Sequence, residues 1–356
     1  MTTPTVRDIE SILVTGGTGF LGMHVCSHFA ERGIDVTALD LTPFQEGEVG
    51  EEVGYVEGDV RDRELVEALA AEADAIIHAA SAIPTWSDEK IRDATVEGTR
   101  SVLAAAESES VSRVVHISSA AVYGRRDSSP VTEDSELAPR GTYGEAKLEA
   151  ESVCEEYRDA GLCVTVLRPQ AIIGPQRLGI FQILFDWVES GANIPLIGDG
   201  DNSYQLVHVN DVVDAIELLL SVDEERSNST FNVGADEFGT MKTDFQALVD
   251  HAGTGKRVFG TPAVLTVGTL RVLDRFNLSP LYPSLFETAE EDTYIGVEKL
   301  KQIGWEPRYS NREALIDTYD WYRRQGVDED GDGKIGNRAP REQLALRPFK
   351  RVLQLV

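Results

Sequence analysis

The chain has 356 residues, 42% of them hydrophobic, enough for one large domain or two with an ordinary core. Its 33 basic against 61 acidic residues leave a net charge of −28, which argues against nucleic acid and anionic membranes as partners. Cys26, Cys154 and Cys163 have no metal-ligand spacing, the first ten residues are polar, and no apolar run approaches the roughly 18 residues of a membrane span. The expectation is a soluble cytoplasmic protein in a reducing compartment, without signal peptide or metal. Only 8 of the 33 basic residues are Lys, and the acid is spread along the chain. Two readings stand: a surface adapted to high salt (halophilic), or an acidic mesophilic protein. Salt adaptation predicts a melting temperature that climbs with KCl.

The first motif is Thr15-Gly16-Gly17-Thr18-Gly19-Phe20-Leu21-Gly22, between an apolar run, Ile12-Leu13-Val14, and an amphipathic stretch carrying Leu21, Val25 and Phe29. Strand, glycine turn and helix is the setting of a dinucleotide fingerprint. Gly16 serves the sharp turn, Gly19 the close approach of a pyrophosphate, and Gly22 the packing of helix on strand. The helix start offers free N–H groups to phosphate. Asp40 ends the next strand, 18 residues after Gly22, where a ribose-binding carboxylate belongs. No Arg or Lys lies between Asp40 and Arg61 to receive a 2′-phosphate, so the cofactor is expected to be NAD rather than NADP.

From 11 to about 170 strands and helices alternate. Strands are predicted at 12–15, 34–40, 53–57, 74–79, 112–118 and 163–168, and helices at 20–32, 61–72, 87–108 and 142–160. This pattern predicts an α/β fold, a Rossmann-like doubly wound parallel sheet. Residues 1–175 form the expected NAD-binding domain with the catalytic residues. Residues 176–325 form a smaller, mainly helical and partly discontinuous substrate lobe, and 326–356 an acidic linker and tail. Within the tail, Asp328 to Ile335 matches the front of a calcium loop. Position 12 falls on Ala339 instead of a bidentate Glu, which favours a linker.

Tyr143 and Lys147 are four apart, on one face of a helix. A nearby ammonium and a positive nicotinamide both favour the phenolate, so Tyr143 can act as a base near neutrality. Ser119 ends the strand Val114 to Ser118, at the edge where α/β proteins place ligands, and can hydrogen-bond a substrate oxygen. Ser118 is expected to point into the fold.

Together these segments resemble the extended short-chain dehydrogenase/reductases, in particular the NAD-dependent epimerase/dehydratase family. The resemblance is carried by 15–22, Asp40, Gly58-Asp59-Val60, His78-Ala79-Ala80-Ser81, Ser119 to Gly124, Tyr143 to Lys147, Leu167-Arg168-Pro169 with Gly174-Pro175, His208 to Val212 and Gly304 to Pro307. It spans about 11 to 325. It implies Tyr143 as acid/base, Lys147 on the nicotinamide ribose and Ser119 polarising the substrate. It further implies a cofactor site of Gly16, Gly19, Phe20, Leu21, Gly22, Asp40, Asp59, Val60, Ala79, Ala80, Ser81, Tyr143, Lys147 and Arg168. Asp59 and Val60 would flank the adenine. By analogy, a homodimer would form through 87–108 and 142–160.

The departures bear on the substrate. Thr95 stands where the family often has Asn. Ala120 and Ala121 replace the acids that sugar-nucleotide dehydratases carry after the catalytic hydroxyl, which argues against 4,6-dehydration and the related decarboxylation. Gln170 and Ala171 replace a phosphate-contacting Asn, and Tyr204 or Gln205 an Arg; Arg177 is a candidate substitute. The leading expectation is an NAD-dependent nucleotide-sugar epimerase. The alternatives are a dehydrogenase for a less polar alcohol, motivated by the apolar 263–276 segment, and a non-catalytic NAD-binding regulator.

Overall fold

The computed structural model describes residues 9–82, 86–124, 129–176, 178–179, 181–276, 279, 281, 286, 288–325 and 353–354. Arg177 and the calcium-loop-like segment at 328–339 lie outside the described residues. The chain divides into two compact units that interleave in sequence. One comprises Met1–Ala171, Val209–Gly234 and Ile295–Glu306; the other comprises Ile172–His208, Ala235–Tyr294 and Pro307–Val356.

The first unit is built on a seven-stranded sheet. Its strands are β1 (Ser11–Thr15), β2 (Asp35–Asp40), β3 (Gly54–Glu57), β4 (Ala75–His78), β5 (Arg113–Ile117), β6 (Val164–Pro169) and a seventh, Thr230–Val233. They run in the order β3-β2-β1-β4-β5-β6 and then the seventh, and every pairing is parallel. Ile12, Leu13, Val14, Ile76 and Ile77 are all buried, the near-continuous apolar run of a strand covered on both faces. The winding reverses between β1 and β4, so a crevice opens at their carboxyl ends, the usual ligand position.

The main helices of this unit are α1 (Phe20–Ala30), α2 (Arg63–Ala70), α3 (Asp88–Arg92), α4 (Gly98–Ser108), α5 (Gly141–Asp159) and Val209–Ser221, with short helices at Glu224–Ser227 and Glu298–Ile303. One layer joins α2, α4 and α5; another joins α1 to Val209–Ser221. His28 and Arg32 of α1 pair with Glu217 of that last helix at 2.7 and 3.1 Å. Asp62 caps α2 by accepting from the Leu65 amide. The single helix expected over 87–108 is instead α3 and α4 joined by a π-helical turn, Asp93–Glu97; such turns frequently mark functional sites.

The second unit packs Phe185, Tyr319 and Tyr322 together, with ring centroids 5.8 and 5.9 Å apart. Its helix Asn311–Arg324 begins with a capping box of Ser310 and Glu313. The strands Ile194–Ile197 and Val258–Thr261 pair in parallel. Among the described residues no helix is long and apolar enough to cross a membrane.

Candidate active site

The glycine turn follows β1 directly. Gly16 has φ +70°, and a Cβ there would lie 2.6 Å from the Ala80 nitrogen. The turn therefore touches the chain leaving β4, across the switch point. A Cβ on Gly22 would sit 2.1 Å from the Gly16 carbonyl oxygen. Gly22 is thus required by the glycine turn itself, rather than by the strand behind it. Gly19 is the N-cap of α1 and supplies no side-chain cap, which leaves backbone N–H groups for an anion. Phe20 and Leu21 are buried in the first turn of α1.

Asp40 lies beside this turn. Its Oδ2 accepts from the Thr18 amide at 3.2 Å and its Oδ1 from the Leu41 amide at 2.7 Å. The carboxylate is thereby held at the end of β2, next to the anion-binding turn. An uncapped helix start, a turn packed too closely for a Cβ at Gly16 or Gly22, and an adjacent fixed carboxylate fit a dinucleotide with a free ribose diol. Farther along, Asp59 is held by Arg61, with contacts of 2.9 and 2.6 Å. The Arg61 side-chain hydrogen bond keeps its carboxyl below the usual range. Val60 is buried.

Ala79 and Ala80 leave the carboxyl end of β4, and the Ala79 amide donates to the Thr15 carbonyl at 3.0 Å. Ser81 Oγ lies 3.4 Å from Thr95 Oγ1, within the π turn. His78 is buried between Thr15 (2.7 Å from Nδ1) and Thr99 (3.0 Å from Nε2). Thr99 gives its own proton to the Thr95 carbonyl at 2.7 Å, so His78 must donate from Nε2 and accept at Nδ1. Burial pushes this imidazole down to about 3, and that of neighbouring His116 well below its usual value. Both rings are neutral at physiological pH.

The catalytic candidates meet at the end of β5. Ser119 caps a 3-10 turn, Ala120–Tyr123, by accepting from the Ala121 amide at 3.2 Å. The Tyr143 hydroxyl is hydrogen-bonded to Ser119; burial holds the phenol's pKa above its usual value, and this bond opposes the rise only in part. Lys147, 3% exposed, donates from Nζ to the Ile117 carbonyl at 2.7 Å. Burial drives its ammonium down to about 8, against the opposing charge of Glu151.

Arg168, expected at the cofactor, has its guanidinium turned to Glu151 (2.6 Å from Nη2) and to the Tyr123 hydroxyl (2.8 Å from Nη1). Tyr123 in turn donates to Asn232 at 2.7 Å. Ser118 is buried and donates to Glu151. Sequence reasoning did not single out Glu151; the signal available was its place four residues beyond Lys147 on the same helix face.

The sheet order, the anion-ready glycine turn and the Ser119–Tyr143–Lys147 group together define a dinucleotide-dependent oxidoreductase of the extended short-chain type. The model of the NAD dependent epimerase/dehydratase family matches residues 12–234. The chain belongs to that family, and its cofactor is NAD. It is 34% identical over 349 residues to an uncharacterized protein, y4nG, of Sinorhizobium fredii, covering 96% of this chain and 87% of that one. The low-salt glycan biosynthesis protein Agl12 of Haloferax volcanii is 29% identical over 331 residues, covering 87% and 98%. Among solved structures, the UDP-glucose 4-epimerase of Thermotoga maritima with UDP-glucose superposes with TM-score 0.73 at 25% identity, covering 88% of this chain and 99% of that one.

Proposed function

We propose that the protein is a nucleotide-sugar epimerase in which Tyr143 is the acid/base. The observation that carries this reading is the Tyr143–Ser119 hydrogen bond at the carboxyl end of β5, one helical turn from the buried Lys147 ammonium. Bound NAD supplies the acceptor that takes the carbinol hydride and gives it back. Gly16, Gly19, Phe20, Leu21, Gly22, Asp40, Asp59, Val60, Ala79, Ala80 and Ser81 line the expected path of that cofactor.

Tyr143, as phenolate, accepts the proton of the substrate hydroxyl while Ser119 hydrogen-bonds the same oxygen. Lys147 spends one N–H on Ile117 and holds positive charge beside the phenolate, which favours proton transfer. When the ketone presents its other face, Tyr143 returns the proton and the carbinol carbon is inverted. Ala120 and Ala121, directly after Ser119, place no carboxylate there to remove or add water, which favours epimerisation over dehydration. UDP- and dTDP-glucose enzymes among the relatives support a nucleoside diphosphate sugar as substrate.

Tyr143→Phe removes the proton acceptor and leaves the glycine turn intact. The expected result is a fall in turnover of about 10²- to 10⁴-fold with NAD still bound; a variant with full activity would refute the assignment. The exposed apolar residues of the helix Ala263–Arg275 favour a second reading, a net dehydrogenase for a less polar alcohol. Accumulation of NADH from added NAD distinguishes it.

A further inference from the structure

Tyr143, Lys147 and Glu151 sit on successive turns of one face of α5, and each meets a successive residue at the end of β5. Lys147 donates to the Ile117 carbonyl, Ser118 donates to Glu151, and Ser119 bonds Tyr143. Glu151 is 6% exposed, and its carboxylate also receives Arg168 Nε at 3.0 and 3.1 Å and Nη2 at 2.6 Å. One carboxylate therefore joins α5, the end of β5 and β6. Arg168 extends the link to Tyr123, in the turn that Ser119 caps.

A carboxylate in an apolar interior costs several kcal/mol in desolvation, and a pair with Arg168 alone is not a reason to put it there. Its placement beside a buried ammonium is. The titratable groups that act on Lys147 are Glu151 and Cys154 on α5, His78 on β4 and His116 on β5; Arg168 reaches Glu151 from β6. Both imidazoles are neutral, and Cys154 is held as a thiol by burial. Glu151 is the group among these that supplies negative charge.

We propose that Glu151 is a positioning residue of the reaction: it fixes the Ser119 end of β5 through Ser118 and is the counter-charge that keeps Lys147 an ammonium. The inference rests on the roles given above to Ser119, Tyr143 and Lys147. Its test does not depend on a substrate.

Lysine labelled with ¹³C at Cε gives 8 resonances in the whole chain, and the one lost in Lys147→Met is Lys147. In the wild type this resonance is expected to titrate well below the ordinary lysine value, near pH 8. In Glu151→Gln it is expected to titrate about one unit lower, because a carboxylate neighbour has gone, and turnover to fall roughly tenfold. A wild-type titration midpoint in folded Glu151→Gln overturns the proposal, whatever the melting temperature does. Should the lone Arg168 charge prevent folding, Glu151→Gln/Arg168→Met removes both charges at similar volume and is expected to give a smaller downward shift, since the loss of the Arg168 cation favours the ammonium; an unmoved midpoint again overturns it. Activity retained in Tyr143→Phe would instead overturn the catalytic reading and leave the Lys147 titration where it was.

Discussion

Two helices of this protein invert the usual rule of burial in opposite ways. α5 turns Lys147 and Glu151 into the interior. The helix Ala263–Arg275 and its C-cap Phe276 turn Val264 (91% exposed), Leu265, Val272 and Phe276 (67% exposed) toward solvent, and the helix buries only Leu270. Composition alone would have assigned them the other way round. The informative signs in a folded protein are a buried charge and an exposed apolar cluster. In α5 the buried charges are paired and hydrogen-bonded, as their burial demands. In Ala263–Arg275 the exposed side chains form a row at helical spacing, and their contribution to the folded state is small.

The largest expected effect that separates the two helices is on stability. Arg168→Met leaves Glu151 buried without the guanidinium that hydrogen-bonds both its oxygens, and is expected to cost about 3–5 kcal/mol in urea unfolding. A loss under about 1 kcal/mol would mean that the buried face of α5 is not held by this pair.

A smaller effect concerns pH. The folded-state ammonium of Lys147 lies near 8, below the ordinary lysine value of 10.5. Between those values the unfolded chain binds more protons than the folded one, so this residue's contribution to stability rises with pH across that window. Wild-type stability is therefore expected to climb relative to Lys147→Met from pH 8 to 10. Parallel profiles would show that the ammonium is not desolvated.

The smallest effect is expected on the other helix. Leu265→Gln and Phe276→Gln, both on exposed positions, should each change stability by within about 0.5 kcal/mol. A loss of several kcal/mol would show that this row is covered in solution, and the contrast with α5 would then narrow.

Much of the first unit was legible in sequence because its signals are local. The six strands from 11 to 169 are short apolar runs, each bounded by a turn or a helical pattern, and their bounds agree with expectation within a residue or two. Gly16 and Asp40 were readable because a turn with positive φ and a strand-end carboxylate have fixed spacing. The seventh strand is different. Thr230–Val233 pairs with β6 across more than sixty residues of chain, which leaves no local mark. The π turn at Asp93–Glu97 also lacks a local signature, since its residues continue a helical pattern. Glu151 was hidden for another reason: an acidic residue in an acidic helix looks solvated until Arg168 and Ser118 are brought to it. The apolar 263–276 segment, which motivates the less polar substrate, carries exposed Val264, Leu265, Val272 and Phe276, a placement its composition does not reveal.

The central claim is a cycle that returns its hydride. The most direct measurement is made on protein purified without added cofactor: its bound small molecules are released and identified, and UDP- and dTDP-sugars are then offered with no NAD supplied. Retained NAD with interconversion of a sugar-nucleotide epimer pair, and no NADH released, is the predicted result. Protein that is empty, silent on every sugar nucleotide and active only as it converts added NAD to NADH would contradict the account.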